Sequence, residues 1–438
     1  MGPMKCILIV LDGLGDRGHE CLGGKTPLQY AYTPNMDHIA KLGMNGLYHP
    51  YIHGVPMSSE TAHFLMFGYD IEDFPGRGLI EGVGYGIEIK DNNVAILAHI
   101  CSVERINNHL VLVDERPHLQ PEISHQLIKA ISHFETEDVS IRFCPTKGID
   151  GILILEGDVS PFITDSNPIY EGRPMIDISP LEPVKKDPKA QRTAKTLKKY
   201  LLWAHKTLSD HPINQKRKEV NMPPINAVVT QRAGQRRKIP AFYQRWGLKG
   251  ISVSSGPIYW GLCQEIGMEV FRVKDSGDPE NDLRNRMLSA KSLLSSYHFI
   301  HVHTKVPDEA AHTRDPRNKV GAIEALDKGM DVIISDIVMD PKVLLIVTSD
   351  HSTPSSGSMI HSGETVPLTF VHRDVRRDDV NHFDEVSCAR GALGIIRGKE
   401  LMYLILNYMD KGKLKGLMDT PVDQPYYPGH YRPLVFKE

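Results

Sequence analysis

The chain has 438 residues, of which 41% are hydrophobic and 24% charged, an ordinary composition for a globular protein that is long enough for two domains. Its formal net charge of −3 gives no electrostatic basis for binding nucleic acid or an anionic membrane. No apolar run approaches the roughly 20 residues of a membrane span. The first residues lack the organisation of a signal peptide, and the 6 cysteines are scattered without a CxxC pair. We therefore expect a cytoplasmic protein with reduced thiols, whose oligomeric state the sequence does not set.

The first part of the chain alternates a buried strand with helices. Residues 6–11 form a continuous apolar run, which is typical of a parallel strand covered on both faces. Residues 34–42 are predicted to form a helix, with Thr33 before it, a proline at its first position and Gly43 after it. A Gly/Pro/Ser loop at 54–59 then leads into the apolar residues 64–67, which indicate a second helix.

The middle of the chain has a different pattern. Short strand-like segments, at 93–103, 109–113, 152–155 and 227–229, alternate with helical ones at 122–132 and 185–218. We therefore predict a domain inserted at 94–285 that splits a core formed by 1–93 and 286–419. Residues 420–438 are rich in proline and tyrosine and are predicted to form an irregular tail.

Two clusters of acidic residues and histidines follow the insertion. Asp308 and His312 are four residues apart, so one turn of helix would place both side chains on one face. Asp350 and His351 follow the apolar run 343–347, a predicted buried strand that would deliver them to the edge where open α/β sheets place their sites. His361 follows ten residues after His351. Carboxylate and imidazole groups together are suited to Zn²⁺ or Mn²⁺.

Two early residues are candidates for the same site. Ser59 opens the helix after the Gly/Pro/Ser loop, where backbone N–H groups favour phosphate, and a metal ion could activate its hydroxyl as a nucleophile. The alternative is that Ser58 or Ser59 only caps the helix. Asp12 ends the first strand. The glycines that follow it match the dinucleotide pattern GxGxxG formally, but Gly23, Gly24 and Pro27 interrupt the helix that this pattern requires.

Lys305 lies three residues before Asp308 and is a candidate for neutralising a transferred phosphoryl group. An exposed lysine at a strand end is an equally good interpretation of its charge alone.

Together these motifs resemble the alkaline phosphatase superfamily and, more closely, the cofactor-independent phosphoglycerate mutases of the archaeal type. The matching segments lie at both ends of the chain and in the right order: 10–16, 24–28, 33–37, 54–63, 68–70, 76–78, 305–312, 348–354, 361–363 and 391–398. The resemblance implies an α/β fold: a three-layer alkaline-phosphatase-like core with a mostly parallel sheet, plus the smaller inserted α/β domain.

The resemblance also implies residue roles. One divalent ion would be surrounded by Asp12, Ser59, Asp350 and His351, and the other would be held by Asp308, His312 and His361. Ser59 would be the phosphorylated nucleophile, with Lys305 and Arg77 as further catalytic residues. The ions are expected to be Mn²⁺ or Zn²⁺, with Mg²⁺ and Co²⁺ as alternatives.

The expected activity is phosphoryl transfer through a phosphoserine, as a phosphoglycerate mutase that converts 3-phosphoglycerate to 2-phosphoglycerate or a close analogue. The substrate would be a small phosphorylated metabolite. One alternative is a diverged phosphatase or hydrolase of phosphate or phosphonate esters that uses the same metals. An alternative from another class is an inert, metal-stabilised binding protein.

The predicted inserted domain departs from the family pattern. Leu97 stands where the resemblance places an arginine, and Arg116 alone remains of an arginine-rich turn. Asn167 stands at the second aspartate of an Asp-Thr-Asp-Pro motif, and Gln231 replaces an arginine that precedes Gly-Ala-Gly. Because the planar guanidinium binds carboxylate and phosphate with two parallel hydrogen bonds, these changes predict an intact metal centre but an altered substrate pocket.

Overall fold

Two separate units make up the chain in the structure, a computed structural model that describes residues 4–332, 337–338 and 340–436. The larger unit takes the chain up to Phe74 and again from Ile239, and the smaller unit spans Pro75–Lys238. The predicted boundaries at 94 and 285 differ from these bounds. A helix from residue 77 packs with strands of the smaller unit, while strands from residue 250 join the sheet of the larger one. Sequence patterns identify a strand without revealing which sheet it joins.

Within the described residues, strands and helices are numbered in chain order. The strands are β1 (Lys5–Leu11), β2 (Met44–His49), β3 (Val94–Ile106), β4 (His109–Asp114), β5 (His133–Glu135), β6 (Val139–Pro145), β7 (Asp150–Gly157), β8 (Ala227–Gly234), β9 (Gly250–Ser254), β10 (Glu269–Arg272), β11 (Phe299–Thr304), β12 (Val343–Thr348), β13 (Val366–Val371) and β14 (Gly394–Arg397). The α-helices are α1 (Pro27–Tyr30), α2 (Pro34–Leu42), α3 (Ser59–Met66), α4 (Arg77–Gly84), α5 (Pro121–Ala130), α6 (Pro188–Ser209), α7 (Pro212–Glu219), α8 (Phe242–Trp246), α9 (Pro257–Glu265), α10 (Pro279–Leu293), α11 (Val306–His312), α12 (Pro316–Gly329), α13 (Glu385–Cys388) and α14 (Glu400–Tyr408).

The larger unit is built on an eight-stranded sheet in the order β10-β9-β11-β1-β12-β13-β2-β14. The first five strands in that order run parallel, and β14 is parallel to β2, whereas β13 is antiparallel to both of its neighbours. In this sheet β1 lies between β11 and β12, with Cys6 opposite both Phe299 and Leu344. The predicted mostly parallel sheet is confirmed.

Helices cover both faces of this sheet. On one face, Ile7, Ile9 and Leu11 of β1 share a buried core with residues of α1, α2, α10 and α12. On the other face, Phe299 and His301 of β11 pack against Phe67, which follows α3. Residues on both faces of β1 and β11 are therefore buried, as a three-layer arrangement requires.

The smaller unit contains an antiparallel sheet in the order β4-β3-β7-β6-β5, and β8 pairs with β3. Helices α5 and α6 bury Leu127, Leu197 and Tyr200 in the core of this unit. The single helix predicted over 185–218 is two helices. His211 has an extended backbone (φ −66°, ψ 136°) because Pro212 disfavours the helical conformation of the residue before it.

Residues 420–436 form neither a helix nor a strand, which is the irregular structure that their composition predicts. In the part of the chain that the structure describes, no helix is both long and apolar enough to cross a membrane.

Candidate metal centre

The carboxyl ends of three adjacent parallel strands bring the candidate residues together. Asp12 follows β1, Lys305 follows β11, and Asp350 and His351 follow β12. Because parallel strands end at the same edge of the sheet, residues from both ends of the chain meet there. Ser59 reaches this edge as the first residue of α3.

Asp12, Asp350 and His351 form one buried group of three candidate ligands. The Nε2 atom of His351 lies 3.5 Å from Asp12 Oδ1 and 3.2 Å from Asp350 Oδ2. Ligand atoms at about 2.0–2.1 Å from a tetrahedral cation are about 3.3 Å apart, so this spacing fits one divalent ion. Among the described residues, the buried Asp350 Oδ2 accepts no hydrogen bond, which leaves it available for a metal.

Asp308, His312 and His361 form the second group of three. The Nε2 atom of His312 lies 3.3 Å from Asp308 Oδ2, and the Nε2 atom of His361 lies 3.4 Å from Asp308 Oδ1. Thr353 Oγ1 donates a hydrogen bond of 2.7 Å to Asp308 Oδ1 and so fixes the carboxylate. Asp308 is buried, whereas the side chain of His312 is 36% exposed, so this group is the more accessible of the two.

The Ser59 hydroxyl contacts residues of the metal centre. Its Oγ atom lies 3.0 Å from His351 Nε2, 3.2 Å from Lys305 Nζ and 3.5 Å from Asp12 Oδ1. Ser58 takes the N-cap position of α3 but makes no capping hydrogen bond. The interpretation of Ser59 as a simple helix cap therefore does not describe its side chain.

Lys305 joins the two groups of ligands. Its ammonium lies 3.0 Å from Asp308 Oδ2 and 3.8 Å from Asp12 Oδ2, and its side chain is 32% exposed. Burial alone would lower the pKa of Lys305, but Asp12 and Asp308 outweigh burial and hold that pKa above its ordinary value. The lysine is therefore a charged member of the site and not a free strand-end residue.

The acidic ligands are held in their ionised form. Burial favours the neutral acid at Asp12, but Lys305 and the hydrogen bond with His303 outweigh it and place the pKa of Asp12 well below its usual range. At Asp308 burial is likewise outweighed by His312 and His361, which lower the pKa of that carboxyl. Ionised carboxylates are the form that binds metal.

Further buried residues support the ligands, and sequence reasoning assigned them no role. His303 Nε2 lies 3.0 Å from Asp12 Oδ2, and the Tyr259 hydroxyl donates to the same oxygen. His63 Nδ1 lies 2.8 Å from the Ser59 carbonyl oxygen and 3.3 Å from Asp350 Oδ2. The alternation of His301 and His303 in β11 is a sequence signal for two histidines on one face, but nothing local marks Tyr259.

Arg77, the remaining predicted catalytic residue, lies in the smaller unit at the start of α4, with its Nε atom 3.1 Å from Glu81 Oε2. Its catalytic role remains a prediction.

Known proteins match this fold along nearly the whole chain. A family model described as Metalloenzyme superfamily matches residues 4–408, so the fold and the site define a metal-binding enzyme class. The 2,3-bisphosphoglycerate-independent phosphoglycerate mutase 2 of Methanocaldococcus jannaschii is 40% identical over 424 residues, which cover 94% of this chain and 95% of the relative. The chain belongs to the family of 2,3-bisphosphoglycerate-independent phosphoglycerate mutases, as the sequence resemblance implied.

Two solved structures agree with this assignment. The cofactor-independent phosphoglycerate mutase from Thermoplasma acidophilum has a TM-score of 0.65 and 32% identity, covering 93% of this chain and all (100%) of its own. A protein from Pyrococcus horikoshii has a TM-score of 0.77 and 28% identity, covering 95% and 100% of the two chains. The predicted fold class is confirmed, and membership of the superfamily shows that the chain binds divalent metal.

Proposed function

We propose that this chain is a phosphoglycerate mutase that interconverts 3-phosphoglycerate and 2-phosphoglycerate, or a close analogue, with Ser59 as the nucleophile. The observation that carries the proposal is the position of Ser59 Oγ, 3.0 Å from His351 Nε2 and 3.2 Å from Lys305 Nζ, beside both ligand groups. The relatives from M. jannaschii and T. acidophilum are named phosphoglycerate mutases, which supports the same substrate class here.

Two divalent ions fit the site. One ion would be held by Asp12, Ser59, Asp350 and His351. The other would be held by Asp308, His312 and His361. When bound, the ions supply positive charge that neutralises the phosphoryl oxygens and favours the ionised serine hydroxyl. The mixture of carboxylate and imidazole ligands favours Mn²⁺ or Zn²⁺, with Mg²⁺ and Co²⁺ as alternatives.

The residues then divide the reaction between them. Ser59 Oγ attacks the phosphorus of the substrate, so that the Oγ–P bond forms while the bond from phosphorus to the glycerate oxygen breaks. The proton lost by Ser59 balances the proton taken up by the glycerate oxygen. Lys305, 3.2 Å from Ser59 Oγ, lies where its charge would stabilise the phosphoryl group in transit. In the second half of the reaction, the neighbouring hydroxyl oxygen of glycerate attacks phosphorus and the Oγ–P bond breaks. The hydroxyl proton lost by glycerate balances the proton taken up by Ser59 Oγ.

Ser59→Ala tests this proposal. Incubation of the metal-loaded protein with 3-phosphoglycerate should give 2-phosphoglycerate, detected by ³¹P NMR, and the variant should lose at least about a thousandfold in kcat/KM because the nucleophile is gone. Mass spectrometry of quenched wild-type protein should find a phosphoryl group on Ser59. Ser58→Ala is the matched control, since Ser58 Oγ lies 3.0 Å from Thr61 Oγ1 and, within the described part of the chain, has no hydrogen bond to a proposed ligand.

The same measurement separates the alternatives. Release of free phosphate without 2-phosphoglycerate would identify a hydrolase on the same metal centre. Turnover of 3-phosphoglycerate by Ser59→Ala at the wild-type rate would contradict the nucleophile assignment.

The smaller unit supplies the reason to test analogues. The guanidinium of Arg116 is already paired with Asp150 at 2.8 and 2.7 Å, and Leu97 of β3 lies beside Gln231 of β8. With charged hydrogen bonds contributing roughly 1.5–3 kcal/mol each, fewer free arginines should raise KM for a small phosphorylated acid. A panel of phosphorylated hydroxy acids measured beside 3-phosphoglycerate would show which substrate this unit favours.

A further inference from the structure

The two oxygens of the Asp12 carboxylate have different surroundings. Oδ2 receives the Tyr259 hydroxyl from α9 and lies 3.0 Å from His303 Nε2 of β11. Oδ1 instead lies 3.5 Å from both Ser59 Oγ and His351 Nε2. One oxygen is therefore occupied by Tyr259 and His303, while the other lies beside the nucleophile and the histidine ligand.

Tyr259 is placed to hold this arrangement. It is 3% exposed, and its ring centroid lies 3.7 Å from that of His303, so the phenol has little freedom to turn away. Its hydroxyl also lies 3.5 Å from Lys305 Nζ, which in turn lies 3.2 Å from Ser59 Oγ. A phenol hydroxyl is both a donor and an acceptor, so it can donate to Asp12 and accept from the lysine at once.

We propose that Tyr259 is a positioning residue that commits Asp12 Oδ2 to hydrogen bonding, leaves Oδ1 as the metal-binding oxygen, and directs Lys305 toward Ser59. Partners of metal ligands generally fix the orientation of the ligating carboxylate and change metal affinity when they are removed. His303 also contacts Oδ2, but among the described residues it has no hydrogen bond with Lys305. Of these two residues, Tyr259 is therefore the one that connects Asp12 to the lysine. The inference rests on the proposed ligation of metal by Asp12.

Tyr259→Phe tests the inference, because it removes the hydroxyl and keeps the ring. The full chain, stripped of metal, is titrated with Mn²⁺ by calorimetry and by electron paramagnetic resonance. We expect one of two sites to lose about 10- to 100-fold in affinity while the other is unchanged. At saturating Mn²⁺, kcat for 3-phosphoglycerate should fall more than KM changes, because Lys305 is no longer directed at the nucleophile.

The control is Tyr200→Phe in the smaller unit, which also removes a buried tyrosine hydroxyl, here bonded to the Ile131 carbonyl oxygen at 3.0 Å. Its metal affinities should equal those of the wild type. If Tyr259→Phe does not fold, His303→Phe keeps a ring, removes the other donor to the same oxygen and should weaken the same single site.

Asp12→Asn separates failure of this inference from failure of the ligand assignment. If Asp12→Asn still binds two ions as tightly as the wild type, the assignment of Asp12 as a ligand is overturned. If Asp12→Asn loses one ion but Tyr259→Phe, or His303→Phe in its place, binds both ions as tightly as the wild type, the positioning role is overturned.

Discussion

Glu385 is a partly buried acid that lies beside a buried ion pair of Asp16 and Lys319. Its Oε1 atom accepts from the Asp16 backbone N–H at 3.1 Å, and its Oε2 atom accepts from Thr26 Oγ1 at 2.8 Å. Asp16 in turn lies 3.2 Å from the ammonium of the fully buried Lys319. Burial raises the pKa of Glu385 to about 7, because the surroundings favour the neutral acid more than its hydrogen bonds favour the charge.

This shift gives stability a pH dependence. The folded-state pKa of about 7 exceeds the ordinary value of 4.5, so between these values the folded chain keeps a proton that the unfolded chain releases. The free energy of unfolding therefore falls as pH rises through this window. Glu385→Gln should remove this dependence and, near neutral pH and above, be more stable than the wild type by about 2 kcal/mol. Urea unfolding at several pH values measures both effects.

Glu182→Gln, at a site whose side chain is 83% exposed, is the control and should keep the wild-type dependence. An unchanged pH profile for Glu385→Gln would show that another group sets the slope.

At the scale of elements, the turn after β1 is where three parts of the sheet edge meet. Gly13 has φ +66°, and a Cβ atom there would lie 2.6 Å from Thr353 Oγ1 and 2.7 Å from Asp308 Cβ. Its N–H donates to Asp350 Oδ1 at 3.1 Å. The absence of a side chain at this position therefore allows the ends of β1 and β12 and the start of α11 to approach each other closely.

Gly13→Ala should disturb the metal centre, because the new methyl group must displace residues that hold both ligand groups. Shifts of about 1 Å at a catalytic group cost roughly a hundredfold in rate, so we expect at least that loss in kcat/KM together with weaker Mn²⁺ binding. Gly23→Ala is the matched control: Gly23 has φ +68° with nothing within 4 Å of its added Cβ. It should lose only about 1–2 kcal/mol of stability. Equal activity of the two variants would contradict the close-packing argument.

Elements whose signals are local were predictable from the sequence. Helix α2 has the predicted bounds because a proline begins it and a glycine follows it, and the strands that carry Asp12 and Asp350 are continuous apolar runs. The contact of Tyr259 with Asp12 joins residues 247 positions apart. It depends on how α9 packs on the sheet, which no local pattern encodes. The same reason explains why the residues near 75 and 238, and not 94 and 285, bound the smaller unit.

At the scale of the whole molecule, the smaller unit is one continuous stretch with its own buried core, whereas both ligand groups belong to the larger unit within the described residues. Residues 75–238 expressed alone should therefore unfold cooperatively on heating and bind no Mn²⁺ at concentrations that fill the full chain. Circular dichroism and equilibrium dialysis measure these two properties. Gradual unfolding, or stoichiometric Mn²⁺ binding by this fragment, would contradict the assignment.

The contact between Gly13 and Asp350 spans 337 positions of the chain, and it has a consequence for biosynthesis. On the ribosome, β1 emerges long before β12 has been translated, so its two neighbours in the sheet are missing for most of synthesis. The smaller unit is finished first and can fold while the rest is still being made. Under the proposed ligand assignment, the ion site of Asp12, Asp350 and His351 cannot be completed before His351 has been translated, so polypeptides that terminate before that residue cannot form it.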